Sequence, residues 1–122
     1  MAANPISQTI NAAALTGGYS APFAFDWRNG PINTTISVIL VGGTTATYTL
    51  QFTLDDINQI SPLPTFTTAT ANWENDPDLN SLTTSGVKSL LNPYLYGRLS
   101  VPSLSAGGSL LLRVVQGGAG VV

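Results

Sequence analysis

Apolar and polar residues alternate along several short stretches of this chain, most regularly between positions 48 and 54. The apolar positions of that stretch are Tyr48, Leu50, Phe52 and Leu54, and the polar ones are Thr49, Gln51 and Thr53. Since successive side chains of a strand point to opposite faces, the pattern predicts a β-strand with an inward apolar face and an outward face that meets water. Asp55 and Asp56 follow, and we expect them to form the turn that ends this strand.

The preceding stretch, residues 34–41, alternates at first and becomes continuously apolar at its end. This change predicts a strand that is central in its sheet or covered on both faces. Only Gly42, Gly43 and Thr44 separate it from the next strand. A short connection that contains two glycines is typical of a β-hairpin, so we expect these two strands to pair with each other.

The rest of the chain contains further short strand patterns and no sustained helical period. Strands are predicted over residues 23–27, 65–73, 87–91, 94–101 and 109–116. Proline and glycine mark turns at 28–31, 61–64 and 102–108. In the last strand both faces are largely apolar, as expected for a strand that lies between a core and a partner. Six or seven short strands predict an all-β fold, an antiparallel β-sandwich with a jelly-roll-like arrangement.

The domain organisation follows from length and from the small residues at the start of the chain. A chain of 122 residues is of the usual size for one domain. Residues 1–21 are predicted to form an extended N-terminal arm, which is either disordered or draped over a neighbour in an assembly, and residues 22–122 a single β-sandwich domain. The first residues lack the pattern of a signal peptide, and no apolar run has membrane-spanning length, so we expect neither secretion by that route nor membrane insertion.

The chain has few charged residues, and this predicts a surface whose polarity is mostly uncharged. Only 8% of the residues are charged, against about 25% in an average protein, and the mean hydropathy is +0.24. Such a neutral surface suits a protein that is held in an assembly. The net charge is −2 and the four basic residues are scattered, so nucleic-acid binding is not expected. Without cysteine, the fold depends on packing and association alone.

The residue types leave little room for catalysis. With no histidine and no cysteine, the usual nucleophilic triads and histidine-based zinc sites are excluded. The loop carboxylates are candidates for a glycosidase pair or, with two asparagines, for a calcium site: Asp55, Asp56, Glu74, Asp76 and Asp78, with Asn58 and Asn75. Loop carboxylates more often cap turns, so we expect no enzyme, no catalytic residues, no cofactor and no metal.

Four aromatic residues are candidates for a platform that stacks on sugar rings: Trp27, Trp73, Tyr94 and Tyr96. The alternative is that these side chains fill the core of a small β-domain. The pattern of residues 94–101 places Arg98 on the wetter face of its strand, opposite Leu99 and Val101.

One order of short motifs resembles a known class of proteins. The motifs are Thr53-Leu54-Asp55-Asp56, Trp73, Pro93, Arg98-Leu99-Ser100-Val101 and a final segment at 108–116 that reads Gly-Ser-Leu-Leu-Leu-Arg-Val-Val-Gln. Over residues 35–116 the sequence resembles small structural proteins of tailed bacteriophages. The resemblance implies a β-sandwich virion component, such as a capsid decoration (cement) protein or a head or tail accessory protein, with no catalytic residues.

We therefore expect a capsid decoration protein that binds the major capsid protein and neighbouring copies of itself, as a homotrimer, in the virion. The alternatives are a phage tail or baseplate domain and, after it, a carbohydrate-binding module. Neither nucleic acid nor membrane is an expected partner.

Overall fold

Eight β-strands and one turn of 3-10 helix make up the regular structure of the residues that the structure describes. The computed structural model describes residues 6–25, 33–55, 67, 70–90 and 94–117. The helical turn covers Ala12–Ala14. The strands are β1 (Ile6–Ile10), β2 (Phe23–Ala24), β3 (Asn33–Leu40), β4 (Ala46–Thr53), β5 (Glu74–Asn75), β6 (Gly86–Leu90), β7 (Tyr96–Leu104) and β8 (Leu110–Gly117). Among the described residues, no helix is long and apolar enough to cross a membrane.

The strands form two antiparallel sheets of four. The first sheet has the order β1-β8-β3-β6 and the second the order β2-β7-β4-β5. The pairs β1·β8, β2·β7, β3·β6 and β4·β5 are nested, as in one long hairpin, and β3·β8 and β4·β7 close each sheet. The prediction of an all-β antiparallel sandwich is confirmed.

The core lies between the two sheets and is built from alternate residues of the central strands. The first sheet supplies the buried side chains of Ile10, Ile36, Val38, Leu90, Leu110, Leu112 and Val114. The second supplies those of Phe23, Ala46, Tyr48, Leu50, Phe52, Leu99 and Val101. The inward face predicted for residues 48–54 is thus confirmed at three of its four positions. Leu54 is 57% exposed because β4 ends at Thr53.

The hairpin predicted between residues 34–41 and 45–54 is wrong, since β3 and β4 lie in different sheets. Their connection crosses the edge of the sandwich, with Gly42 at a φ of +60°. It is hydrogen-bonded to the connection between β7 and β8, which crosses in the same way: Val41 N donates to Ser109 O, and Ser109 N donates to Thr44 Oγ1. A turn with glycine joins two facing strands as readily as two paired ones, so local turn chemistry did not decide the pairing.

The N-terminal boundary also differs from the prediction of an arm over residues 1–21. Ile6–Ile10 is the edge strand β1, paired along its length with β8. Farther along, Ser20 N donates to Leu99 O, so the chain also lies against β7 before β2 begins. In the described part, this region belongs to the sandwich because Ile10 is buried in the shared core.

Two other predicted elements change. Residues 67 and 70–73 are not strand: Ala71 N donates to Thr67 O in a tight turn, and β5 begins only at Glu74. The loop predicted from Pro102 begins later, because β7 continues to Leu104 through an irregular register opposite Thr47 to Thr49. Proline is tolerated at a β-bulge because the extra residue of the bulge is unpaired, so the missing N–H of proline costs no ladder hydrogen bond. The predicted turns at 28–31 and 61–64 lie outside the described residues.

Candidate functional site

A row of polar side chains crosses the outer face of the second sheet. Arg98 in β7 is the cross-strand neighbour of Gln51 in β4, which in turn neighbours Asn75 in β5. The Arg98 Nε donates to Gln51 Oε1 at 2.8 Å, and Gln51 Nε2 donates to Asn75 Oδ1 at 2.9 Å. Because these residues alternate with core residues on their strands, their side chains share the face that points away from the core.

The guanidinium of Arg98 lies between two aromatic rings. Its central carbon is 3.8 Å from the centre of the Tyr19 ring and 4.1 Å from the Trp73 ring, distances typical of strong cation–π contacts. The guanidinium therefore contacts both rings at once. Arg98 is only 7% exposed, which contradicts its predicted place on a wet face. Burial lowers the pKa of Arg98, and the electrostatic interaction with Tyr19 opposes that shift.

A groove of about 640 Å³ lies beside this arginine. Besides Arg98 and Tyr19, it is lined by Ala14, Thr16, Ser20, Ala21 and Pro22. The segment that forms its wall is fixed to β7, since Val101 N donates to Gly18 O at 2.7 Å and Leu99 N donates to Ser20 Oγ at 2.8 Å. Gly18 has a φ of +87°, which a glycine adopts without strain.

The acidic residues after β5 are tied to a lysine of the opposite sheet. Asp76 is 3% exposed, and its carboxylate accepts from the backbone N–H groups of Asp78 and Leu79 at 3.1 and 2.8 Å. The Lys88 ammonium in β6 lies 3.4 Å from Asp76 and also contacts the Asp78 carboxylate. The hydrogen bond with Asp78 is the main cause that raises the pKa of Lys88. These carboxylates therefore cap a loop and bind a cation of the protein itself.

The other acidic candidates do not join this cluster. Asp55 accepts from the backbone and side-chain N–H groups of Asn72, and so ties the end of β4 to the segment before β5. Glu74 is exposed in β5. No group of three or more potential metal-ligating side chains occurs within the described ranges. Asp56 and Asn58 lie outside those ranges.

The four aromatic candidates do not form one exposed platform where they are described. Tyr94 stacks on the core residue Phe52, with ring centres 4.7 Å apart. Tyr96 is 1% exposed, and Trp73 contacts the Arg98 guanidinium. Trp27 lies outside the described residues.

The outer face of the first sheet is neutral and open. By the outer face we mean the outward side chains of its four strands, which are Ser7, Thr9, Asn33, Thr35, Ser37, Ile39, Val87, Ser89, Leu111, Arg113 and Val115. All eleven are exposed or half-buried, and Arg113 is the only charged residue among them. Val87 and Val115 are 67% and 52% exposed. The face therefore offers hydroxyl and small apolar groups with little charge to keep a neighbour away.

Sequence reasoning missed the aromatic pair around Arg98. Tyr19 falls in the predicted arm and Trp73 in a predicted strand, so no local pattern connects either residue with Arg98. The alternation of apolar and polar residues along a strand is the same whether its outward arginine is exposed or covered by other parts of the chain. Comparison with models of protein families, with curated proteins and with solved structures found no match to this chain.

Proposed function

We propose that this protein is a structural component of a phage virion, a capsid decoration protein that binds the major capsid protein and stabilises the head. The observation that carries the proposal is the neutral outer face of the first sheet. Charged side chains normally keep surfaces apart, and this face has only Arg113. Its exposed Val87 and Val115 give a partner apolar area to cover.

The strand order supports a finer description of the fold as a jelly roll. Eight strands in two four-stranded sheets, paired as a nested ribbon that folds over itself, are the elements of that arrangement. Jelly rolls occur in viral capsid proteins, which agrees with the resemblance of residues 35–116 to phage structural proteins. Because the same arrangement also occurs in lectins, the fold supports the proposal without deciding it.

The proposed partners are the major capsid protein and neighbouring copies of this chain, as a homotrimer in the virion. A specific interface buries about 800 Å² on each partner, which a four-stranded sheet face can supply. In such a complex, the serine and threonine hydroxyls on the face bind polar groups of the partner, and the valines supply apolar contact.

The test is the addition of purified protein to phage heads that lack it. We expect saturable binding to the heads and a higher temperature of head disruption. Val115→Lys, in the middle of the proposed face, should weaken binding by about tenfold or more, since it places an unpaired charge in the interface. Val41→Lys is the matched control, because Val41 is 44% exposed in the connection outside the face.

If Val115→Lys unfolds normally and still binds heads as tightly as the unchanged protein, the outer face of the first sheet is not the docking surface. Binding to tails and not to heads would favour the second candidate, a tail or baseplate component. The groove beside Arg98 favours the third candidate, a carbohydrate-binding module, because it combines Tyr19 with hydroxyl groups of Thr16 and Ser20.

A further inference from the structure

We propose that the groove beside Arg98 is a binding site for the carboxylate of a small ligand, either a sugar acid or an acidic amino acid. The site is independent of the proposed docking face, since it lies on the second sheet. Its volume, about 640 Å³, falls within the range of small-molecule pockets.

The first argument is the geometry around the guanidinium. Its central carbon lies close to the rings of both Tyr19 and Trp73, and its Nε donates a hydrogen bond to Gln51. No hydrogen bond joins the terminal nitrogens Nη1 and Nη2 to another described residue, and the residue as a whole is 7% exposed. Arg98 also lines the groove. What it can present there is a planar pair of N–H donors, which matches the two oxygens of a carboxylate.

The second argument is the charge of the surroundings. The described residues that line the groove are small, apolar or hydroxyl-bearing, and Arg98 is the one charged side chain among them. Of the other described cations, Lys88 is bound to Asp76 and Asp78, and Arg113 lies on the opposite sheet. A singly charged anion therefore neutralises Arg98, whereas the second charge of a phosphate dianion meets no further cation among the described lining residues. This favours a carboxylate.

A third argument is preorganisation. The rings and Gln51 fix the arginine before any ligand arrives, and the wall of the groove is fixed to β7 through the backbone of Gly18 and Ser20. The Ser20 hydroxyl accepts a bond from Leu99 N and keeps its own hydrogen for a ligand oxygen. A site held in this way loses little entropy when a small ligand binds.

The experiment is an NMR titration that follows the Nε–H signals of the three arginines, Arg28, Arg98 and Arg113. The probes are acetate, glucuronate and N-acetylglutamic acid α-amide, with glucose and inorganic phosphate for comparison, all at one ionic strength. We expect a saturable shift confined to Arg98 for the three carboxylates. Tighter binding of glucuronate than of acetate would identify a sugar acid, and tighter binding of the glutamic acid amide an amino acid.

Two variants test the site itself. Arg98→Lys should lose about tenfold or more in affinity, because lysine lacks the planar pair of donors. Ala21→Leu should obstruct the groove while leaving Arg98 and its rings in place, and Ala24→Leu, at an exposed position that does not line the groove, is its control. The proposal is overturned if the three arginines respond alike, if phosphate binds at least as tightly as acetate, or if Ala21→Leu binds like the unchanged protein.

Discussion

The two sheets of this sandwich have similar inner faces and very different outer ones. In the first sheet the outward threonines and serines, such as Thr35, meet solvent. In the second sheet several of the corresponding side chains are covered: Thr49 is 8% exposed, Thr53 1% and Arg98 7%. The alternation along the strands is the same in both cases. It indicates which side chains point inward, but whether the other face is wet depends on the loops that cross it.

The loops of the second sheet do more than cover it. Thr49 Oγ1 accepts from Ser81 N at 2.9 Å, and the backbone of Leu82 pairs with Tyr48, so the connection between β5 and β6 lies along β4. Ser81 has a φ of +54°, which is costly for a residue with a side chain and is held by these contacts. Part of the outer face of the second sheet is therefore covered by the chain itself, while the described outward side chains of the first sheet stay exposed or half-buried.

The largest expected effect tests the similarity of the inner faces. Phe52→Ala in the second sheet and Leu112→Ala in the first should cost about 3–5 and 2–5 kcal/mol of unfolding free energy, because each leaves a cavity. Phe52 is 3% exposed and Leu112 is fully buried. Urea unfolding measures both values. A loss below about 1 kcal/mol in either variant would mean that its sheet does not share the core.

A smaller effect separates the outer faces. Thr49→Val should cost about 1–2 kcal/mol, since it leaves the Ser81 N–H without its acceptor. Thr35→Val, the same change on the exposed face of the first sheet, should change the unfolding free energy by less than about 0.5 kcal/mol. Equal values in urea unfolding would show that the loop does not bind the second sheet in solution.

The smallest expected effect concerns the ion pairs that join the sheets. The pKa of Lys88 is raised, so the stabilisation from its charge is present below the ordinary lysine value of 10.5 and is lost as the pH rises through the folded-state value. Burial also raises the pKa of Tyr48, which acts in the same direction. Asp78→Asn removes the main partner of Lys88 and should make the alkaline loss of stability shallower.

The measurement is the unfolding free energy of the unchanged protein, Asp78→Asn and Glu74→Gln across the alkaline range. Glu74→Gln is the control, because it removes one negative charge from an exposed site. If the unfolding free energies of Asp78→Asn and the unchanged protein fall in parallel as the pH rises, the ion pair of Lys88 does not contribute to the alkaline loss of stability. Tyr48 is common to all three proteins, so the difference between curves reports the lysine.

Sequence alternation was a good guide to local structure and a poor one to pairing. It found β3, β4, β6 and β8 within a few residues, because strand geometry alone sends successive side chains to opposite faces. It placed β3 and β4 in one hairpin, although they face each other across the core. It also missed the two-residue strand β5, which is too short to show any pattern.

The fold class, the inward faces of the strands and the shortage of charge all follow from residue pattern and composition. The inward residues, for example Leu50 and Leu99, follow from backbone geometry and the hydrophobic effect, which act on neighbouring positions. The pairing of the strands, the covering of one outer face and the contacts of Arg98 with Tyr19 and Trp73 come from the three-dimensional fold. Those contacts join residues far apart in the chain, and their stability depends on the burial that the whole sandwich provides.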